Sequence, residues 1–313
     1  MEYRNLGRSG LKISEIGLGS DTFGRSVDER NSIAIVNHAL DLGINFIDTA
    51  DIYGGQGRSE EFVGKAVKGK RHQVIIATKF SGEMGSGPND RGGSRYHIIN
   101  AVDASLKRLN TDYIDLYQMH RPDPTAPIDE TLRALDVLVR AGKVRYVGAS
   151  NFAAWQLCEA IWVSRRDRLE SFITVQPKYN LIDRTIEQEL VPFCRAYGVG
   201  IIPWYPLAAG FLTGKYRRGE APAAGTRFAS DVPFYSRLLT DINFVKLDKL
   251  EAFAKERGHA VSELAIAWLL AHPWISAIIP GATTVEQISA NAAAARWKLT
   301  ADELSQIDRI APA

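Results

Sequence analysis

Eight short apolar, β-branched runs recur along the chain, separated by longer segments of helical period. No other feature limits the fold as strictly. The runs are EIGLGS, NFID, QVIIATK, YIDLYQMH, VRYVGAS, FITVQP, VGIIPW and SAIIPGA. Several are apolar at consecutive positions, as parallel strands covered on both faces require. Between them, Ile33, Val36 and Leu40, then Ile98, Val102, Leu106 and Leu109, then Leu132, Leu135 and Leu138 recur at spacings of three and four. Such spacings line one face of a helix. Eight strand–helix units in 313 residues predict an α/β chain folded as one (β/α)8 TIM barrel over residues 1–313. A doubly wound sheet would want G-x-G-x-x-G after its first strand, and Gly17, Gly19 and Gly24 miss that spacing.

Residues 1–14, with GRSG between EYRNL and LKIS, predict a small N-terminal β-hairpin able to cover the barrel floor. Three connections are long for such a fold, at 21–30, 80–96 and 204–241, and long loops in compact chains commonly serve function. The last two are expected to set specificity at the C-terminal face. The formal charge is +2 with dispersed Lys and Arg, so no electrostatic footprint for nucleic acid is present. The opening MEYRNLGRSG has no apolar core of a signal peptide, and LAIAWLLAHPWISAIIPGA is interrupted by His272 and Pro273. No membrane association is expected. Two cysteines, Cys158 and Cys194, form no disulfide framework, and a reducing cytoplasm is the expected compartment.

In a (β/α)8 barrel, polar residues at the carboxyl ends of strands converge on one face. Here the second strand ends at Asp48 with Tyr53 in its loop, the third ends at Lys79, and the fourth at His120. Taken singly, each has a structural explanation: a capping acid, an amphipathic loop tyrosine, a surface lysine, a satisfied loop histidine. Together they are mutually explanatory. A free phenol titrates near pH 10, and a neighbouring ammonium lowers that value. Asp48 would keep Lys79 charged and aimed, and His120 would orient a substrate oxygen. The product is a phenolic acid suited to protonating a carbonyl as a hydride arrives. No side chain donates hydride, so a cofactor is required. The six histidines show no H-x-x-x-H or H-E-x-x-H pair, and no metal site is expected.

NFIDTADIYG, ATKF, YIDLYQMHRPDP, RYVGASNF and WYPLAAGFLTGKY together resemble the aldo-keto reductases, nearest to the bacterial branch that is also similar to potassium-channel β subunits. The resemblance runs over nearly the whole chain. It implies a catalytic tetrad of Asp48, Tyr53, Lys79 and His120, with Tyr53 as general acid, or as base in the oxidative direction. It further implies NADPH bound extended across the barrel mouth, with NADH as the open alternative. Ser150, Asn151 and Gln176 would hold the nicotinamide carboxamide, and Tyr205 its ring. Pro206, Leu207, Ala208 and Gly210 would follow the pyrophosphate. Lys215 and Arg227 would meet phosphates, and Gly281, Thr283, Gln287 and Asn291 would clasp the adenosine. Ala290 stands where relatives commonly carry a glutamate, and Thr283 and Gln287 replace an arginine found in some branches.

Phe23, Phe80 and Trp204 are the expected walls of a pocket for a small carbonyl substrate. Two other readings remain open: a redox-sensing or regulatory NADP-binding protein with negligible turnover, against which His120 argues, and a Schiff-base lyase using Lys79. Substrate, direction in the cell and assembly as monomer or homo-oligomer are not readable from these residues.

Overall fold

A computed structural model describes residues 1–229 and 233–313, so the expected 204–241 connection lies outside the described residues at 230–232. The chain begins with strands β1 (Tyr3–Asn5) and β2 (Lys12–Ser14), paired antiparallel as the expected hairpin. Seven parallel strands follow in sequential order: β3 (Leu18–Gly19), β4 (Phe46–Asp48), β5 (Ile75–Phe80), β6 (Ile114–Met119), β7 (Val144–Ser150), β8 (Thr174–Gln176) and β9 (Gly200–Ile201). The eighth run, SAIIPGA, makes only isolated parallel bridges. Ile275, the residue just before the run, meets Ile201 on one side, while Ile278 and Gly281 meet Ile16 and Gly19 on the other. Those bridges carry the sheet from β9 back to β3 and close the (β/α)8 barrel. Pro280 has no N–H to give, which helps keep this segment from forming a full ladder.

The outer layer contains α1 (Glu29–Asp41), the short turn α2 (Tyr53–Gln56), α3 (Arg58–Ala66), α4 (Arg95–Leu109), α5 (Ile128–Arg140), α6 (Ala154–Asp167) and α7 (Leu190–Tyr197). It continues with α8 (Pro233–Ser236), α9 (Asp241–Glu256), α10 (Val261–Leu270), α11 (Val285–Ala294) and α12 (Ala301–Ile310). Side-chain caps set several starts: Asp28 accepts from the Asn31 N–H, and Ser94 from the His97 N–H. The apolar stripe of α5 is buried through Leu132, Leu135 and Leu138 as spaced. On α1 it is rotated: Ile35, Val36 and Ala39 are buried, while Ile33 and Leu40 pack at its margin. Among the described residues no helix is long and apolar enough to cross a membrane.

Period-two alternation sorts the strand residues into two cores. Phe46, Ala77 and Leu116 fill the barrel interior, whereas Ile47, Ile76 and Tyr117 face the helices. Leu6 and Ile13 of the hairpin, both fully buried, pack into the inner cluster from below. Gly7 makes that plug possible. Its φ is +54°, and a Cβ there would lie 2.1 Å from the Ile173 carbonyl oxygen. Leu6→Ala should therefore lower stability by about 2–5 kcal/mol in chemical denaturation, the usual cost of truncating a buried leucine. A change below about 0.5 kcal/mol would show that the hairpin does not plug the barrel.

Candidate active site

The same alternation aims the polar strand ends. Two residues beyond inward-facing Phe46 comes Asp48; two beyond Ala77 comes Lys79; two beyond Leu116 comes Gln118. Lys79 is fully buried, and its Nζ donates to Asp48 Oδ1 at 2.5 Å, to the Thr49 carbonyl at 2.8 Å and to the Tyr53 hydroxyl at 3.3 Å. The second carboxylate oxygen of Asp48 accepts from Gln176 Nε2 at 2.8 Å and Gln118 Nε2 at 3.2 Å. Asp48 is thus saturated with donors, as a buried charge must be. Tyr53 opens α2 on the loop after β4, and Gly54 behind it has φ +73° with room for no Cβ, because the Phe23 carbonyl lies 2.5 Å away. Only glycine lets this turn seat the phenol against Lys79. The Tyr53 and His120 rings meet edge to face with centroids 5.8 Å apart. Asp48, Tyr53, Lys79 and His120 are therefore gathered at one mouth.

The electrostatics differ in one respect from the sequence expectation. Burial raises the Tyr53 phenol above its ordinary value, and the Lys79 ammonium, which pulls the other way, does not overcome it. Burial works against the charge on Lys79 as well, but Asp48 and Tyr53 outweigh it and hold the ammonium above the ordinary lysine value. His120 is pushed down to about 3 by burial, then by the Lys79 and Arg121 charges, so its imidazole is neutral through the physiological range. The arrangement presents a protonated phenol and a neutral imidazole over a fixed ion pair, which suits donation of a proton to an oxygen.

A cleft of about 680 Å³ opens above these groups, and Asp48, Tyr53 and His120 line it. Ser150 and Gln176, at the inward-facing ends of β7 and β8, lie beside them, and the Ser150 hydroxyl donates to the Gln176 carbonyl at 2.8 Å. Asn151 follows with φ +60°; its amide donates to the His120 carbonyl and accepts from the Trp204 indole. Tyr205 (φ +71°), Pro206, Leu207 and Gly210 continue the lining, with Lys215 and Arg227 further along. Arg227 pairs with Asp21 at 3.0 Å. Gly281, Thr283, Gln287 and Asn291 also line it; Gln287 Oε1 accepts from the Thr283 N–H and hydroxyl. The Asn291 amide nitrogen is buried without a partner among the described residues, a donor available to an occupant.

Three expected contacts fall outside the lining. Ala208 is fully buried beneath it. Phe80 is one residue past inward-facing Lys79, so alternation turns it to the helices, where it packs on Tyr117 at 4.8 Å. Phe23 is likewise fully buried in the outer core. Trp204 does line the cleft, joined by Ile52, which the sequence reading missed. The 80–96 loop lines none of it, because it folds onto itself through Met84–Asp90 and Ser81–Gly92 backbone bonds. Gln118 was also missed, although its place two residues before His120 marks it as inward-facing.

A family model for the aldo/keto reductases matches residues 15–312. A probable voltage-gated potassium channel β subunit of Oryza sativa subsp. japonica is 42% identical over 299 residues, covering 93% of this chain and 90% of that one. The uncharacterized oxidoreductase YrpG of Bacillus subtilis (strain 168) is 41% identical over 322 residues, covering 100% and 96%. Versiconal hemiacetal acetate reductase of Aspergillus parasiticus is 36% identical over 334 residues, covering 98% and 96%. The chain belongs to the aldo/keto reductase family. Its general chemistry is that of an oxidoreductase acting on carbonyls.

Lys79→Met should cost about 3–5 kcal/mol in urea unfolding by stranding the Asp48 charge. The Asp48→Asn, Lys79→Met double variant should lose less than the sum of the singles, and additivity would show that the two groups do not act as a pair.

Proposed function

We propose that this chain is a cytoplasmic, NADPH-dependent reductase of aldehydes or ketones, with Tyr53 as general acid. The observation that carries the reading is the contact of Lys79 Nζ with both Asp48 and the Tyr53 hydroxyl at the inner end of the cleft. Aldo-keto reductases use nicotinamide cofactors, and a bound nicotinamide supplies hydride. The donor set fits such a group: Ser150, Asn151 and Gln176 offer amide and hydroxyl partners beside Tyr53, and Lys215 and Arg227 offer cations for phosphates farther along. Along the cleft Arg25, Arg121, Lys215 and Arg227 outnumber Asp21 and Asp48, which favours the more highly charged NADPH over NADH.

The substrate oxygen would accept from the Tyr53 hydroxyl with the neutral His120 ring beside it. Tyr53 gives up its proton as the carbonyl carbon is reduced, and the Lys79 ammonium stabilises the phenolate left behind. Ile52 and Trp204 confine the rest of a small carbonyl compound. The reverse reaction uses the same groups with the phenolate as base. A regulatory reading is favoured by one finding, the match to a protein named as a channel β subunit. Single-turnover oxidation of bound NADPH by a panel of aldehydes and quinones separates the two.

Tyr53→Phe should lower turnover by about 10²–10⁴-fold, the usual worth of a general acid, while NADPH titrated by its fluorescence binds as before. Undiminished turnover would remove Tyr53 from the reaction.

A further inference from the structure

The segment after β4 carries a second acid that the tetrad does not use. Asp51 is 1% exposed and lies two residues before Tyr53, with its backbone N–H on the Lys79 carbonyl at 3.2 Å. Neither of its carboxyl oxygens meets a well-formed hydrogen-bond donor among the described residues. The donors around it are committed elsewhere. Glu60, fully buried on α3, accepts from the Thr78 hydroxyl at 2.6 Å and from Arg108 Nε at 2.7 Å. Arg108, on α4, also donates to the Ser105 hydroxyl. Tyr117 of β6 turns a buried hydroxyl, itself without a partner among the described residues, into the same outer layer. The loop after β5 passes close beside Asp51, since a Cβ at Gly82 would lie 3.2 Å from Asp51 Oδ1.

The charged groups facing Asp51 are therefore Glu60 from α3, Arg108 from α4 and Lys79 from β5. Arg108 is already neutralised by Glu60, and Lys79 by Asp48. An ionised Asp51 would be a buried charge facing the Glu60 carboxylate, helped only by the adjacent Ile52 N–H and by two cations already paired elsewhere, a costly state. A neutral carboxyl fits the site.

We propose that Asp51 is a positioning residue for Tyr53 that works as a neutral carboxylic acid, seating the 51–57 turn when protonated and unseating it on ionisation. Burial, then Glu60, raises this carboxyl to about 7, so the change falls near neutrality. Tyr53 titrates above its ordinary value and His120 at about 3, so neither overlaps it. The kinetic consequence rests on the reductase reading above; the ionisation itself does not.

Two measurements test it on the full chain. With NADPH and 4-nitrobenzaldehyde as the probe, kcat/KM should fall roughly tenfold between about pH 6 and pH 8 as a single group titrates. Asp51→Asn should remove that limb and hold the acidic-side value. In thermal unfolding without ligands, the folded chain binds this proton more tightly than the unfolded one. Wild-type stability is therefore lost as pH rises from 3.8 through about 7, and Asp51→Asn should gain Tm over wild type across that window. Should Asp51→Asn not fold, Glu60→Gln serves instead, moving both transitions to lower pH by removing the neighbouring negative charge. A limb that survives Asp51→Asn, or a Tm gap that does not change with pH, overturns the proposal. Absence of any turnover with an intact pH-dependent Tm gap would sink the reductase reading together with the positioning role, and leave only the buried neutral acid.

Discussion

An ammonium with no exposed surface persists inside a protein only when its neighbours satisfy it fully, and Lys79 is the point on which this site turns. Asp48 supplies the countercharge, the Thr49 carbonyl a second acceptor, and the Tyr53 hydroxyl a third. Asp48 in turn needs Gln118 and Gln176, which come from two further strands. The pair thus ties β4, β5, β6 and β8 together at their carboxyl ends. Removing any member would leave a buried polar group without a partner, so the geometry at the phenol is a by-product of satisfying the charge.

Much of this was legible because strand alternation is a geometric rule. NFID and ATK each place a polar residue two positions past an inward apolar one, QMH places His120 two past inward Gln118, and each of these polar residues does point inward. The same rule, applied one residue further, would have excluded Phe80 from the pocket. The hairpin was visible from its turn residues, and β7 follows the VRYVGAS run from end to end. The weakest strand, SAIIPGA, reads as apolar and β-branched, yet it forms bridges rather than a ladder.

What the letters did not reveal was desolvation. Lysine beside tyrosine suggests a lowered phenol, but the depth at which both are buried reverses the net direction. Depth depends on how α2, α3 and the loops close over the sheet, and a list of neighbours along the chain does not contain it. The loops gave the same lesson: 80–96 and 204–241 looked equivalent, yet backbone bonds within the first withdraw it from the cleft. Asp51 is the sharper case, an acid in plain view within NFIDTADIYG whose character comes from groups on three other elements.

The hairpin that stoppers the barrel has a consequence for traffic. Because Leu6 and Ile13 fill the lower end, the cleft that Tyr53 lines among the described residues opens at the upper end of the barrel. Anything lying deep in that passage blocks the exit of nothing above it but is itself blocked by whatever sits on top. Were two molecules to share that passage, the deeper one would have to enter first and leave last.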